Sequence, residues 1–226
     1  MAPQPADHRG EGSTGLPDPF EWVGNALPAD YANTASWPPE GPIEERLTDY
    51  SRLVDWALRS GILSVAEANP MLREAAAHPA RAAATLDRAR SLRAVVHQAL
   101  ASLARGNAPP ASALGALNGF LPDALGHLAV DSTGDGCGCS WTWRHDGVDL
   151  DRMLWPIVWS TLGLLTSDQS RLVRQCGNQR CGWTFVDTSR NRTRKWCTMR
   201  DCGNRAKARR HYERKKRSTR GTGTAS

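Results

Sequence analysis

From residue 44 the spacing of apolar residues is helical. Leu47, Leu53, Val54 and Ala57 fall near one stripe with Trp56 beside it, which predicts a helix from Glu44 to Arg59 with Gly61 as its stop. A short helix starts at Ser64 and is expected to end before Pro70. Leu86, Ala89, Leu92, Val96 and Leu100 recur every three or four positions in a long Ala/Leu/Arg segment, Met71 to Arg105, bent near Pro79 and closed by Gly106. Another helix fits Ser112 to Leu121 or a little beyond. The period then changes. Leu128-Ala-Val130, a Ser-Thr-Gly-Asp-Gly turn and Ser140-Trp-Thr-Trp-Arg144 predict a β-hairpin. Helical spacing returns from Asp149 to Leu165. Beyond Arg171, short β-prone pieces, Trp183–Val186 and Arg194–Cys197, flank a polar turn, and Met199 to Arg217 predicts one charged helix.

The expected architecture is α+β: a mainly helical N-terminal domain with a small antiparallel sheet, then a small C-terminal module. The expected boundaries are a disordered lead-in over 1–26, the larger domain over 27–170, the module over 171–217, and a disordered Gly/Ser/Thr tail over 218–226. Residues 27–34 read as loosely structured chain. The larger domain, with its own apolar core, is expected to fold independently of the module.

Charge sharpens this division. Residues 171–226 hold 17 Lys+Arg against Asp187, Asp201 and Glu213, a net +14, whereas residues 1–170 hold 12 basic and 20 acidic residues, a net −8. A basic end on an acidic body implies contact with a polyanion. No apolar export segment follows the N-terminus, and the longest near-apolar run, Met153 to Leu165, is too short to span a bilayer. The expected address is therefore cytoplasmic, with no membrane partner, and in a reducing cytosol six cysteines argue for metal or free thiols over disulfides.

Cys176, Cys181, Cys197 and Cys202 form two Cys-x4-Cys pairs separated by a hairpin's length, the way a small fold builds a tetrahedral thiolate site. One Zn(II) per chain suits four thiolates. Four reduced structural cysteines and an iron–sulfur cluster are the alternatives. A module with so few aliphatic residues needs a metal staple to fold. Thr198 is a good N-cap with Asp201 three residues on, which places Cys202 in the first turn of the last helix, a treble-clef-like arrangement. Gly203 there implies close approach of the first knuckle's backbone.

These residues carry a resemblance. Cys176-Gly-Asn-Gln-Arg-Cys-Gly-Trp183, Asp187-Thr-Ser-Arg190, Trp196-Cys197 and Cys202-Gly-Asn-Arg205 resemble the CGNR zinc finger family over about residues 172–215. In that family the finger follows an N-terminal domain called ABATE. Leu27-Pro-Ala-Asp-Tyr-Ala-Asn-Thr34 resembles that domain's opening motif, and Ala116-Leu-Asn118 a later element. The resemblance implies a bacterial, stress-related transcription regulator.

Arg190, Arg192, Arg194 and Lys195, with Lys207, Arg209, Arg210 and Arg214, are the candidate nucleic-acid contacts, and duplex DNA is the expected partner. Asp187, Gly203, Asn204 and Arg205 are the candidate structural residues, with Asp187 orienting Arg205 to tie hairpin to helix. Trp183 and Phe185 are expected to form the module's small core. Trp141 and Trp143 are expected to pack, and Cys137 and Cys139 to be incidental thiols of a tight hairpin. The chain carries no Gly-rich phosphate loop, nucleophile elbow or His-Glu-x-x-His, so no catalysis is expected. An RNA-binding protein and a zinc-dependent protein-interaction module remain alternatives. A small-molecule ligand for the larger domain and a homodimer are left open.

Overall fold

Leu27 to Ala32 forms a short helix, α1, where loose chain was expected, and all six of its residues are buried. Pro28 in its first turn presets the backbone for a helix, and Tyr31 fixes its place by donating its hydroxyl to the Ala89 carbonyl at 2.6 Å. The computed structural model describes residues 19–38, 44–133 and 137–221, with side chains to Arg214. Within that span the expected lead-in is corrected: Phe20 is buried and Trp22 stacks on Trp56 at 5.9 Å between ring centroids. The packed chain begins before Leu27. Residues 1–18 and 222–226 of the expected disordered ends lie outside the described residues.

The stripe through Leu53 and Val54 becomes α2 (Tyr50–Arg59), started by Asp49, whose carboxylate accepts the Arg52 amide at 2.9 Å. Ser64 and Glu67 form a capping box at the start of α3 (Val65–Ala77). This helix continues through Pro70 to bury Met71 and Ala75, contrary to expectation. Burial of that face offsets the roughly 3 kcal/mol an interior proline costs. The break comes instead at His78, where the long predicted helix divides and α4 (Pro79–Ala104) begins on its own proline.

Helix α5 (Ala111–His127) runs on beyond Leu121, through Pro122, to His127. It feeds β1 (Leu128–Ser132), which pairs antiparallel with β2 (Cys139–Trp143), Val130 opposite Trp141. Trp143 packs against the core, but Trp141 is 47% exposed, so only one of the two indoles is core. Cys137 and Cys139 are both exposed. Helix α6 (Leu154–Thr166) starts later than Asp149 and buries Leu154, Trp155, Ile157 and Val158. No described helix is long and apolar enough to cross a membrane.

A 3-10 turn, Asp168–Leu172, leads into β3 (Val173–Gln175), which pairs antiparallel with β4 (Thr184–Val186). The expected partner of β4, the stretch Arg194–Cys197, is irregular, and its backbone-to-backbone bond with the first knuckle runs from the Gly177 amide to the Lys195 carbonyl at 2.8 Å. The last helix is also in two parts: a π turn, Met199–Gly203, then α7 (Asn204–Gly221), whose backbone extends past the expected boundary at 218.

The architecture is α+β, with α1 against α4 and α6, one small antiparallel sheet (β1–β2) largely exposed and the other (β3–β4) packed on α4 and α1. The cysteine module does not stand apart from the body. Val173 and Val186 belong to the main apolar core, while Val23 and Trp37 pack onto the module's own cluster of Cys176, Trp183, Phe185, Cys197 and Cys202. Asn33 clamps β4 with both ends of its amide, donating to the Thr184 carbonyl at 2.9 Å and accepting the Thr184 amide at 3.0 Å. Trp183 donates its indole N–H to the Ala35 carbonyl at 2.9 Å, and the Val186 amide bonds the Gly24 carbonyl at 2.8 Å. The two units, expected to fold independently, thus share a hydrogen-bonded interface.

Candidate metal centre and its basic surroundings

Strand β3 delivers Cys176 at its end, and the knuckle Gly177–Arg180 turns the chain back to Cys181 just before β4. The knuckle is pinned from within: the Asn178 carbonyl accepts the Cys181 amide at 2.8 Å, and its side-chain oxygen accepts the Arg180 amide at 3.2 Å. Gly177 is closely packed, since a Cβ would lie 3.1 Å from the Trp196 ring and 3.2 Å from the Lys195 carbonyl and would press both back. The second pair spans the start of the π turn. Thr198 caps that turn as expected, accepting the Asp201 amide at 3.0 Å.

The four sulfurs all lie within 4.8 Å of one another, with Cys181 and Cys197 at 3.7 Å. N–H donors point at them, among them the Asn178 side-chain amide at Cys202 Sγ, 3.3 Å, and the Cys197 backbone at Cys176 Sγ, 3.5 Å. Donors aimed at sulfur stabilise thiolate, which is the ligand form. Hydrogen bonding from the Cys181 and Cys197 thiols draws Cys176 down to about 2. The thiols that donate to it, Cys181 and Cys197, are pushed up. Cys176 gives up its proton easily while Cys181 and Cys197 hold theirs, because further negative charge in so small a space needs a cation. Four thiolates, largely buried and closed around one point, fit a structural metal ion with no open coordination position.

The predicted site residues separate into two groups. Arg190, Arg192, Lys195, Lys207, Arg209, Arg210 and Arg214 are all exposed. Arg194 is not a free cation: its guanidinium lies 4.1 Å over the Phe185 ring and donates to the carbonyls of Val23, Trp196 and Cys197. Its assignment as a nucleic-acid contact is corrected to a structural one. The expected Asp187–Arg205 tie is also absent among the described residues. Asp187 is buried, and its carboxylate accepts the Ser189 amide and hydroxyl and the Arg194 amide, at 3.0, 2.6 and 3.0 Å. Those bonds outweigh the effect of burial and hold its pKa below the ordinary carboxylate value. Arg205 is exposed instead. A Cβ at Gly203 would meet Sδ of the exposed Met199 side chain at 2.7 Å, a flexible end that can move aside, and the first knuckle is not among its nearest neighbours. Asn204 donates its side-chain amide to the Arg200 carbonyl at 2.9 Å. Sequence reasoning missed Asn178 as a sulfur ligand's partner, although its place inside the first knuckle was a usable signal.

Residues 172–215 match the family model of the CGNR zinc finger. Residues 25–168, more than half of the chain, match the family model ABATE, described as a putative stress-induced transcription regulator. The chain belongs to the ABATE family. No curated protein matches the sequence. The ABATE opening motif, Asp30-Tyr31-Ala32-Asn33-Thr34, spends its polar groups on internal bonds. Asp30 accepts the Gly24 amide at 2.7 Å, Asn33 clamps β4, and the Thr34 hydroxyl bonds the Tyr31 carbonyl at 2.7 Å and accepts from Arg93 at 3.1 Å. In this ABATE chain the motif is the joint that holds the cysteine module.

Proposed function

We propose that this ABATE protein is a cytoplasmic transcription regulator that binds duplex DNA through a Zn(II)-stapled C-terminal module, with one zinc held by Cys176, Cys181, Cys197 and Cys202. It acts by binding and not by catalysis. A single observation carries the reading: every side chain of α7 from Lys207 to Arg214 is exposed, and the one acid among them, Glu213, is paired with Arg209 at 3.1 Å. From Asn204 to Gly221 the sequence has nine basic residues and one acid. Like charges at helical spacing repel, and a polyanion relieves that repulsion.

Lys207, Arg210 and Arg214 share a face at spacings of three and four. Replacing all three by Gln is expected to leave fold and zinc content unchanged and to flatten the slope of log affinity against log salt on duplex DNA by roughly 2.7 units. An unchanged slope removes α7 as the phosphate grip. Tighter binding to structured RNA, or to an acidic protein, than to duplex DNA at the same salt would reassign the partner.

A further inference from the structure

The stretch between β4 and Cys197 is held at both ends by charged side chains turned inward. Upstream, Asp187 accepts the Ser189 amide and hydroxyl and the Arg194 amide. Inside the loop, the Ser189 carbonyl accepts the Arg192 amide at 3.0 Å, and the Ser189 hydroxyl oxygen accepts the Thr193 amide at 3.3 Å. Arg192 sits in the left-handed region at φ 51°, which an arginine adopts only where its surroundings impose it. Downstream, the Arg194 guanidinium is anchored on Phe185 and on three carbonyls, one of them that of Cys197. From the side, Asn25 donates to the Thr188 hydroxyl at 3.2 Å.

Outside these anchors stand exposed cations. Arg190, Arg192 and Lys195 are exposed on the loop and its exit, and Arg180 is exposed on the knuckle that the Gly177–Lys195 bond lays alongside. None of the four has an acidic partner among the described residues, in contrast to Arg209 on α7 and to Arg200, which lies 3.7 Å from Glu21 and from Asp201. A tightly bonded loop that presents only unpaired cations loses little conformational freedom when it takes up an anion. We infer that Arg180, Arg190, Arg192 and Lys195 form a second phosphate-binding surface, separate from α7, and that Asp187 is its positioning residue. This rests on the reading of the chain as a nucleic-acid-binding protein and adds where a second stretch of backbone phosphate is held.

The test uses the intact, metal-loaded chain on duplex DNA. Replacing the four cations by Gln is expected to leave zinc content and melting unchanged and to flatten the salt slope by roughly 2 to 4 units. Asp187→Asn separates positioning from charge. It removes a negative group beside the basic surface, so a purely electrostatic role predicts tighter binding. The positioning role predicts roughly tenfold weaker binding with the salt slope unchanged. Should Asp187→Asn fail to fold, Ser189→Ala, which keeps the carboxylate and removes the hydroxyl clamp, is expected to show the same weakening. If the four-Gln variant keeps the parent slope while the α7 variant loses its own, the second surface is wrong and the proposed function stands. If the parent chain shows no salt-dependent binding to DNA or RNA, both are wrong. Unchanged or tighter binding in folded Asp187→Asn, or in Ser189→Ala where that variant decides, overturns the positioning role.

Discussion

Asp30 keeps a carboxylate where almost no water reaches it, at 7% exposure. Burial pushes its pKa up to about 7, against the downward pull of the Gly24 and Val23 backbone donors and of the Arg194 charge. The folded state therefore prefers the protonated acid, while the unfolded chain ionises near the ordinary value of about 4. The stability this contributes is fully present below about pH 4 and is lost as pH rises through 7. Asp30→Asn keeps a side-chain oxygen for the Gly24 amide and cannot ionise. The parent protein is expected to lose stability relative to Asp30→Asn between pH 4 and 7, by an amount on the order of 3 kcal/mol. Equilibrium unfolding of both proteins in parallel checks this, since the difference cancels the titration of the cysteines. Parallel pH profiles would show that Asp30 has the same pKa in the folded and unfolded chain.

Among the elements, α7 is the one whose sequence works against its own shape. Its main contact is the π turn before it, and Lys207, Arg210 and Arg214 repel along one face, at roughly 0.2–0.5 kcal/mol per pair. Screening should therefore tighten it. Amide exchange across residues 205–214 is expected to slow when salt is raised from low to high, and indifference to salt would mean that the helix is held by something other than relief of charge. The existence of this helix was legible in the sequence, as were α2, the β1–β2 hairpin and the four cysteines, because caps, periodicity and ligand spacing are local signals. The partner of β4 was not. Trp183–Val186 is β-prone and has two candidate neighbours, and the choice of Val173–Gln175 depends on the knuckle folding between them and on Asn33 gripping Thr184 from a distant helix. Pro70 and Pro122 stay inside helices for a similar reason, since burial of Met71 and Ala124 is a tertiary matter. Arg194 is one of several arginines in a basic run, and only the position of Phe185 and three carbonyls makes it structural.

At the scale of the whole molecule, the metal centre and the helical body share walls. The Cys181 carbonyl accepts the Trp37 amide at 3.2 Å, and the next residue, Gly182, has φ 71° and would place a Cβ 2.1 Å from the Trp37 carbonyl oxygen. Trp37 in turn stacks on His97 of α4 at 4.1 Å, with the rings within 8° of parallel. His97 Nε2 lies 3.0 Å from the Gly182 carbonyl, and burial holds its pKa below the ordinary value, so the neutral ring donates that bond. Each such bond contributes roughly 1 kcal/mol, and all depend on the knuckle keeping its shape around the sulfurs. Removing the metal from the intact chain should therefore weaken the body as well as the finger. After chelation, the helical signal of the far-ultraviolet circular dichroism, dominated by α2 to α6, is expected to melt at least roughly 5 °C lower than in the metal-loaded protein. The metal-loaded protein should melt in one transition. Cys202→Ala, which removes a ligand that touches no residue of the body in the bonds described above, should reproduce the shift without a chelator. If the helical signal melts at the same temperature with and without metal, the interface through Asn33, Trp37 and His97 is a contact of two independent units, and metal loading has no route to the body.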